Sequence, residues 1–267
     1  MNYNTFNEVN YELLTPKTIY PMKNRTIFLF FFSVFLIFSF SETLLANTNK
    51  ILVFSKTAQF RHASAITAGQ TVIQQLGKEN NFEVEATEDS QVFNSEKLQQ
   101  FDAVVFLCTT GDVLNDEQQA AFEKYIRAGG GFVGIHSATD TEYDWPWYGE
   151  LVGAYFKNHP RGQQDVLLNI VDANNIATAH LPLQWKKVDE IYNFKWIGQG
   201  LDILITVDEN SYEGGQNGDF HPISWIHAYD GGRSFYTALG HDEKSITDPL
   251  LIKHILGGIK YAMGRTQ

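Results

Sequence analysis

Gly129-Gly130-Gly131-Phe132-Val133-Gly134-Ile135-His136-Ser137 is the stretch on which the fold turns. Three glycines close a helix, four uncharged residues make a short apolar run, and a histidine and a serine end it. A short apolar run between turn signals reads as a strand buried on both faces, the kind that builds parallel sheets. Upstream, Asn115 or Asp116 caps a helix reaching Arg127, with Phe122, Tyr125 and Ile126 on its inner face. Before it stand a strand at Asp102–Leu107, another at Phe82–Ala86, and a first at Ile51–Phe54. Ala65, Ile66, Val72, Ile73 and Leu76 recur at helical spacing between the first two strands, and Gly77 closes that helix. Strands alternating with helices predict an α/β fold, a doubly wound, mostly parallel, flavodoxin-like sheet.

Downstream the alternation loosens. Val166–Val171, Ile203–Val207 and Ile223–Ala228 read as strands. Asp230-Gly231-Gly232 is a hairpin turn leading to Ser234–Leu239, and Pro249–Ala262 is the last helix. No repeat, low-complexity tract or linker interrupts the chain, so residues 47–267 read as one α/β domain with inserted loops.

The first 46 residues carry a different signal. Lys23 and Arg25 precede the apolar run Thr26–Phe40, and Leu44-Leu45-Ala46 supplies a small residue after it. A basic start, a short apolar stretch and a small-residue end read as a secretory signal, with Met22 as the candidate true start. The expected location is therefore periplasmic or extracellular, with membrane contact only if this segment is left uncleaved. The formal net charge of -11 excludes nucleic acid as a natural partner. The single cysteine, Cys108, rules out an intramolecular disulfide and sits within an apolar run, where it reads as a buried small residue.

In open α/β sheets ligands bind beyond the carboxyl ends of the strands. Phe60-Arg61-His62 follows the first strand, Thr109-Thr110-Gly111-Asp112 the third, His136-Ser137-Ala138-Thr139-Asp140 the fourth, and Gly240-His241-Asp242-Glu243 the hairpin strand. Three of the eight histidines fall at such ends, which singles these loops out. Imidazole and carboxylate suit zinc, manganese or iron, so His62, His136, His159 and His241, with Glu190, are candidate ligands of a divalent metal. No histidine pair has a short metal-binding spacing. Tyr143-Asp144-Trp145-Pro146-Trp147-Tyr148 and Asn158-His159-Pro160 set aromatics beside polar groups, a mixture suited to sugar faces and hydroxyls. The same run also reads as a tryptophan-rich loop packed on the sheet. Gly129–Gly131 ends a helix instead of opening one, so no nucleotide cofactor is expected.

Gly131–Ala138, Phe60-Arg61-His62, Asn158-His159-Pro160, Asp189-Glu190-Ile191-Tyr192 and Gly240-His241 together resemble the ThuA-like family, named for trehalose utilisation, over roughly residues 50–262. That resemblance implies a class I glutamine amidotransferase-like fold. Such amidotransferases place a nucleophilic cysteine in G-x-C-x-G on a sharp strand-to-helix turn. Here Gly134-Ile135-His136-Ser137-Ala138 puts histidine in the cysteine position, while His241-Asp242-Glu243 keeps the downstream His-x-Glu pattern. Glutamine hydrolysis through a thioester is thereby excluded, and Ser137 stands one position too late to replace the cysteine.

The resemblance further implies carbohydrate metabolism and a sugar or 3-keto-glycoside substrate, taken by lyase, hydrolase or isomerase chemistry. A 3-keto group acidifies the hydrogen at C2, and removing it needs a base, an acid and a way to hold the enediolate charge. On that reading His136 and His241 are the central acid/base pair or metal ligands, and Asp140 and Glu190 orient or assist them. Arg61, His62 and His159 hold hydroxyls or an oxyanion, and Tyr143, Trp145 and Tyr192 border the ring. Two alternatives stay open: a non-catalytic carbohydrate-binding module, and a structural domain that assembles as a homo-oligomer.

Overall fold

The computed structural model describes residues 49–265, so the export reading of residues 1–46 lies outside the described residues. The chain runs β1 (Asn49–Phe54), α1 (Ala63–Asn80), β2 (Phe82–Thr87), α2 (Ser95–Leu98), β3 (Ala103–Leu107), α3 (Asp116–Arg127), β4 (Gly131–Ile135), α4 (Pro146–Val152) and β5 (Ala154–Asn158). It continues through β6 (Gln164–Ile170), β7 (Gln184–Asp189), β8 (Asn193–Ile197), β9 (Asp202–Val207), β10 (His221–Tyr229), β11 (Gly232–Thr237), α5 (Glu243–Ile246) and α6 (Pro249–Ala262).

Nine strands form one sheet in the order β2-β1-β3-β4-β11-β10-β9-β6-β7. The first five are parallel: Val53 lies beside Ala86 and Val105, and Ile135 beside Leu107 and Thr237. This is the doubly wound, flavodoxin-like order, an α/β fold as the apolar runs dictate. The other four strands extend the sheet in antiparallel fashion. β5 and β8 pair separately as a two-stranded ribbon.

Consecutive residues of a buried strand face opposite helical layers. Phe106 of β3 stacks on Phe122 of α3 at 5.6 Å between ring centroids and packs against Phe93, Phe132 and Tyr148. Its neighbour Leu107 faces the other side, where Gly69 of α1 lets it close in: a β-carbon there would lie 3.0 Å from Leu107 and 2.8 Å from Ile246. Each fully buried aromatic of this kind stabilises the fold by about 1.5–3 kcal/mol. Cys108 lies wholly buried just past β3, and burial raises its thiol pKa, as suits an inert core residue.

Several boundaries move for local reasons. α1 does not stop at Gly77. That glycine is buried inside the helix, where a β-carbon would meet the Phe82 carbonyl oxygen at 2.7 Å, and the helix ends at the left-handed Asn81 (φ 57°). α3 opens on a reciprocal cap between Asn115 and Gln118. Asp230 (φ 46°) and Gly231 (φ 93°) make the two-residue turn, with positive φ at both positions as a type I′ hairpin requires. β11 consequently starts at Gly232, two residues before the expected strand. β5, β7 and β8 have no counterpart in the sequence reading. β7 alternates, but its buried positions are Trp185, Lys187 and Asp189, so its inner face carries charge where apolar residues would have marked a strand.

His254 of α6 is fully buried, its Nδ1 2.8 Å from the Ala177 carbonyl and its Nε2 3.0 Å from Ser224 Oγ. Burial lowers its pKa to about 4. Because the folded-state value lies below the unfolded one, near 6.5, the folded state binds fewer protons between them. Its stability is therefore complete above pH ~6.5 and falls as pH drops toward 4, by about 3 kcal/mol in all. Denaturant midpoints at pH 7, 5.5 and 4 should fall less steeply in His254→Asn than in wild type. Identical slopes would show that His254 does not couple folding to protons.

Candidate active site

Four side chains converge beyond the strand ends. His62 follows β1 and immediately precedes α1; His136 follows β4; His241 follows β11; Glu190 follows β7. His136 Nε2 lies 3.2 Å from His62 Nε2, 3.3 Å from His241 Nδ1 and 3.6 Å from Glu190 Oε2, and His241 Nδ1 lies 3.0 Å from the same oxygen. One donor atom from each residue falls within 4.8 Å of every other.

The backbone aims these groups. His136 has φ 52°, a left-handed conformation that costs a β-carbon-bearing residue roughly 1–2 kcal/mol. It turns the chain sharply from β4 into the 3₁₀ segment His136–Asp140 and leaves the imidazole fully buried. A carbonyl can only accept, so the 2.7 Å contact between His136 Nδ1 and the Ala238 oxygen fixes the Nδ1–H tautomer for a neutral ring and leaves an Nε2 lone pair facing the cluster. Tyr192 packs on His136 at 4.4 Å between centroids, and Phe156 packs on Tyr192 at 4.3 Å.

Asp189, wholly buried at the end of β7, ties Glu190 and His241 together. Its Oδ1 accepts from the backbone N–H groups of Glu190 (3.0 Å) and His241 (3.2 Å). Its Oδ2 accepts from Gly240 N–H (3.0 Å) and Ser245 Oγ, with Lys187 Nζ 3.9 Å away. Sequence reading placed Asp189 in the family motif but gave it no role, because a buried carboxylate that only fixes a loop leaves no spacing signal.

The electrostatics follow from the packing. Burial lowers the His62 pKa to about 3, reinforced by the neighbouring His136 and His241 rings, so His62 is neutral at physiological pH. Burial pushes the Glu190 carboxyl up, but hydrogen bonds from His136 and His241 outweigh it and hold the pKa well below the ordinary carboxylate value. Burial works to lower His241, yet Glu190 beside it wins and raises the pKa above the ordinary imidazole value. The cluster thus sets a neutral His62 beside an ionised Glu190 that favours the protonated form of His241.

The other expected site residues fall into two groups. His159 stands at the rim, its side chain 40% exposed and its Nδ1 3.1 Å from Glu190 Oε1. Asp140 and Tyr143 form a pair at 2.6 Å, with the Tyr143 hydroxyl also 3.0 Å from the Phe156 carbonyl, and burial raises the Asp140 pKa. Arg61 and Trp145 are not brought to the cluster. The Arg61 guanidinium forms a forked ion pair with Glu88, at 2.6 and 3.2 Å. Trp145 is buried, stacked on Trp147 and Tyr148, with its indole N–H bonded to Glu123. The loop that carries Arg61 instead presents Phe60, 66% exposed, with its ring 4.8 Å from that of His62. The acid beside His241 is Glu190, whereas Glu243, the third residue of the His-x-Glu pattern, begins α5.

Solved structures with the same fold include two described as putative ThuA-like proteins. One, from Bacteroides uniformis, has a TM-score of 0.70 and 21% identity, covering 80% of this chain and 91% of its own. The other, from Parabacteroides merdae, has a TM-score of 0.66 and 22% identity, covering 82% and 91%. A cytoplasmic protein from Salmonella typhimurium is more distant, with a TM-score of 0.56 and 9% identity over 80% of this chain and 98% of its own. At these identities the likeness establishes the fold. No curated protein matches the chain. The family model for ThuA, described as trehalose utilisation, spans residues 50–262, and the chain belongs to that family.

Proposed function

We propose that this protein is an enzyme of carbohydrate metabolism that acts on a sugar or 3-keto-glycoside at the cluster of His62, His136, His241 and Glu190. The observation that carries this reading is the convergence of three imidazoles and a carboxylate at the carboxyl ends of the sheet. A module that only grips a sugar needs stacking faces and hydroxyl partners, not three imidazoles meeting at one point, two of them buried. The family's link to trehalose utilisation supports a carbohydrate substrate.

A carbonyl at C3 makes the C2 hydrogen acidic. Once a base removes it, the negative charge passes to the carbonyl oxygen as an enediolate. The C1 substituent then leaves by elimination, or the proton returns to give an isomer. Proton removal and charge stabilisation are the two requirements. His136 and His241 are the central groups on this reading, with Glu190 and Asp140 assisting. His62 and His159 reach hydroxyls, and Tyr143 and Tyr192 border the ring. Phe60, exposed beside His62, offers a sugar-stacking face that the sequence reading did not single out. Action outside the cytoplasm belongs to the proposal and rests on the basic, apolar and small-residue pattern of residues 23–46 alone.

The test is to incubate the protein with 3-keto-glycosides and follow the sugar by NMR. Release of the C1 substituent or appearance of an isomer is expected. Saturable binding without conversion would replace this reading with that of a binding module.

A further inference from the structure

We propose that His62, His136, His241 and Glu190 form a binding site for one divalent first-row transition ion, of the zinc, manganese or iron kind. Zinc–nitrogen bonds of 2.0–2.1 Å arranged tetrahedrally put neighbouring donors roughly 3.3 Å apart. Four of the six donor separations are 3.0, 3.2, 3.3 and 3.6 Å, scattered about that value, and the other two fall within 4.8 Å. Three imidazole nitrogens and a carboxylate oxygen are the donors such ions take.

The surroundings also favour an ion. A neutral His136 has its lone pair on Nε2, because Nδ1 is committed to the Ala238 carbonyl. His62 turns Nδ1 toward Ser137 Oγ at 3.4 Å, which leaves its Nε2 facing His136 Nε2. With the His62 hydrogen on Nδ1, donated to Ser137 Oγ, both Nε2 atoms present lone pairs across 3.2 Å, an arrangement that a cation between them satisfies. Behind the donors stand the partners that fix metal ligands in known sites: a carbonyl on His136, a hydroxyl on His62, and His159 on the second oxygen of Glu190. Asp189 holds the backbone of both Glu190 and His241. The site has an open side, since the His241 side chain is 24% exposed.

The metal centre stands on this geometry and does not depend on the sugar reading. If both hold, the ion supplies Lewis-acid stabilisation of the developing oxyanion. The imidazoles then serve as ligands, and Asp140 and His159 at the rim remain to move protons.

The experiment uses the full chain, produced without a histidine tag, stripped with chelator and reloaded with zinc. Metal content, zinc affinity by competition with a chromophoric chelator, and the visible spectrum after cobalt loading are read in the absence of any sugar. About one equivalent of zinc per chain, with a four- or five-coordinate cobalt spectrum, is expected. His241→Ala and Glu190→Gln should each weaken zinc at least a hundredfold while keeping wild-type circular dichroism. His180→Ala, a histidine whose Nε2 lies 2.9 Å from the Leu250 carbonyl, should leave affinity unchanged. Less than a tenth of an equivalent after reloading would overturn the proposal, as would zinc lost equally in His180→Ala. No keto-glycoside enters the experiment, so its outcome is separate from that of the activity test.

Discussion

Alanine at His136 should reduce conversion of a 3-keto-glycoside roughly a thousandfold, within the range for losing a positioned acid/base group or an oxyanion stabiliser, while the fold survives. His136 Nε2 is the atom that meets the other three members: His62, His241 and Glu190 all approach it within 3.6 Å. Removing the ring disperses the cluster whether its members move protons or hold an ion. The structural cost is modest. Alanine at φ 52° bears much the same backbone strain as histidine, the Ala238 carbonyl loses one hydrogen bond, and a small polar cavity opens. Together these come to about 1–2 kcal/mol, a fall in Tm of roughly 3–6 °C for a chain of this size. Turnover and thermal melting on the same preparation check both halves. A folded variant with wild-type turnover would remove His136 from the site.

Asp189→Ala should have the largest effect on stability, about 3–5 kcal/mol. One buried carboxylate satisfies three backbone N–H groups and the Ser245 hydroxyl, and it lies 3.9 Å from the buried Lys187 ammonium. Truncation strands those donors and leaves Lys187 with Asp248, 3.3 Å away, as its carboxylate partner. A buried ion that loses a partner is strongly destabilising. Turnover should fall as well, because His241 and Glu190 lose the acceptor that sets their backbone. Asp189 touches no reacting atom on this account, so it is a positioning residue. Asp189→Asn keeps the shape but turns an amide N–H toward backbone donors, and should fall between wild type and alanine in urea midpoint. A change below about 1 kcal/mol in Asp189→Ala would contradict this role.

The parallel half of the sheet was legible because both faces are covered: Ile51–Phe54, Ala103–Leu107 and Phe132–Ile135 are unbroken apolar runs. The antiparallel half was less so. β7 buries Lys187 and Asp189, and the short β5 and β8 pair only with each other, so neither gives the alternation or the run that marks a strand. Topology placed His62, His136 and His241 at strand ends, since the loops that follow parallel strands line the ligand crevice. Direction within a loop is another matter. Phe60, Arg61 and His62 are consecutive, yet Arg61 turns to Glu88 while its two neighbours meet ring to ring. Trp145 belongs to a run of aromatics whose division between core and surface depends on the docking of α4, which no spacing in that run discloses.

The most direct measurement is exchange at C2 of a 3-keto-glycoside in deuterated water, followed by proton NMR with wild type, His136→Ala and His241→Ala. Elimination and isomerisation share the removal of that hydrogen, so the signal does not depend on which product forms. The account predicts that wild type labels C2 or consumes the substrate through it, and that both variants fall to the uncatalysed rate. Tight binding of the keto-glycoside by wild type, with the C2 hydrogen retained and no product formed, would contradict it.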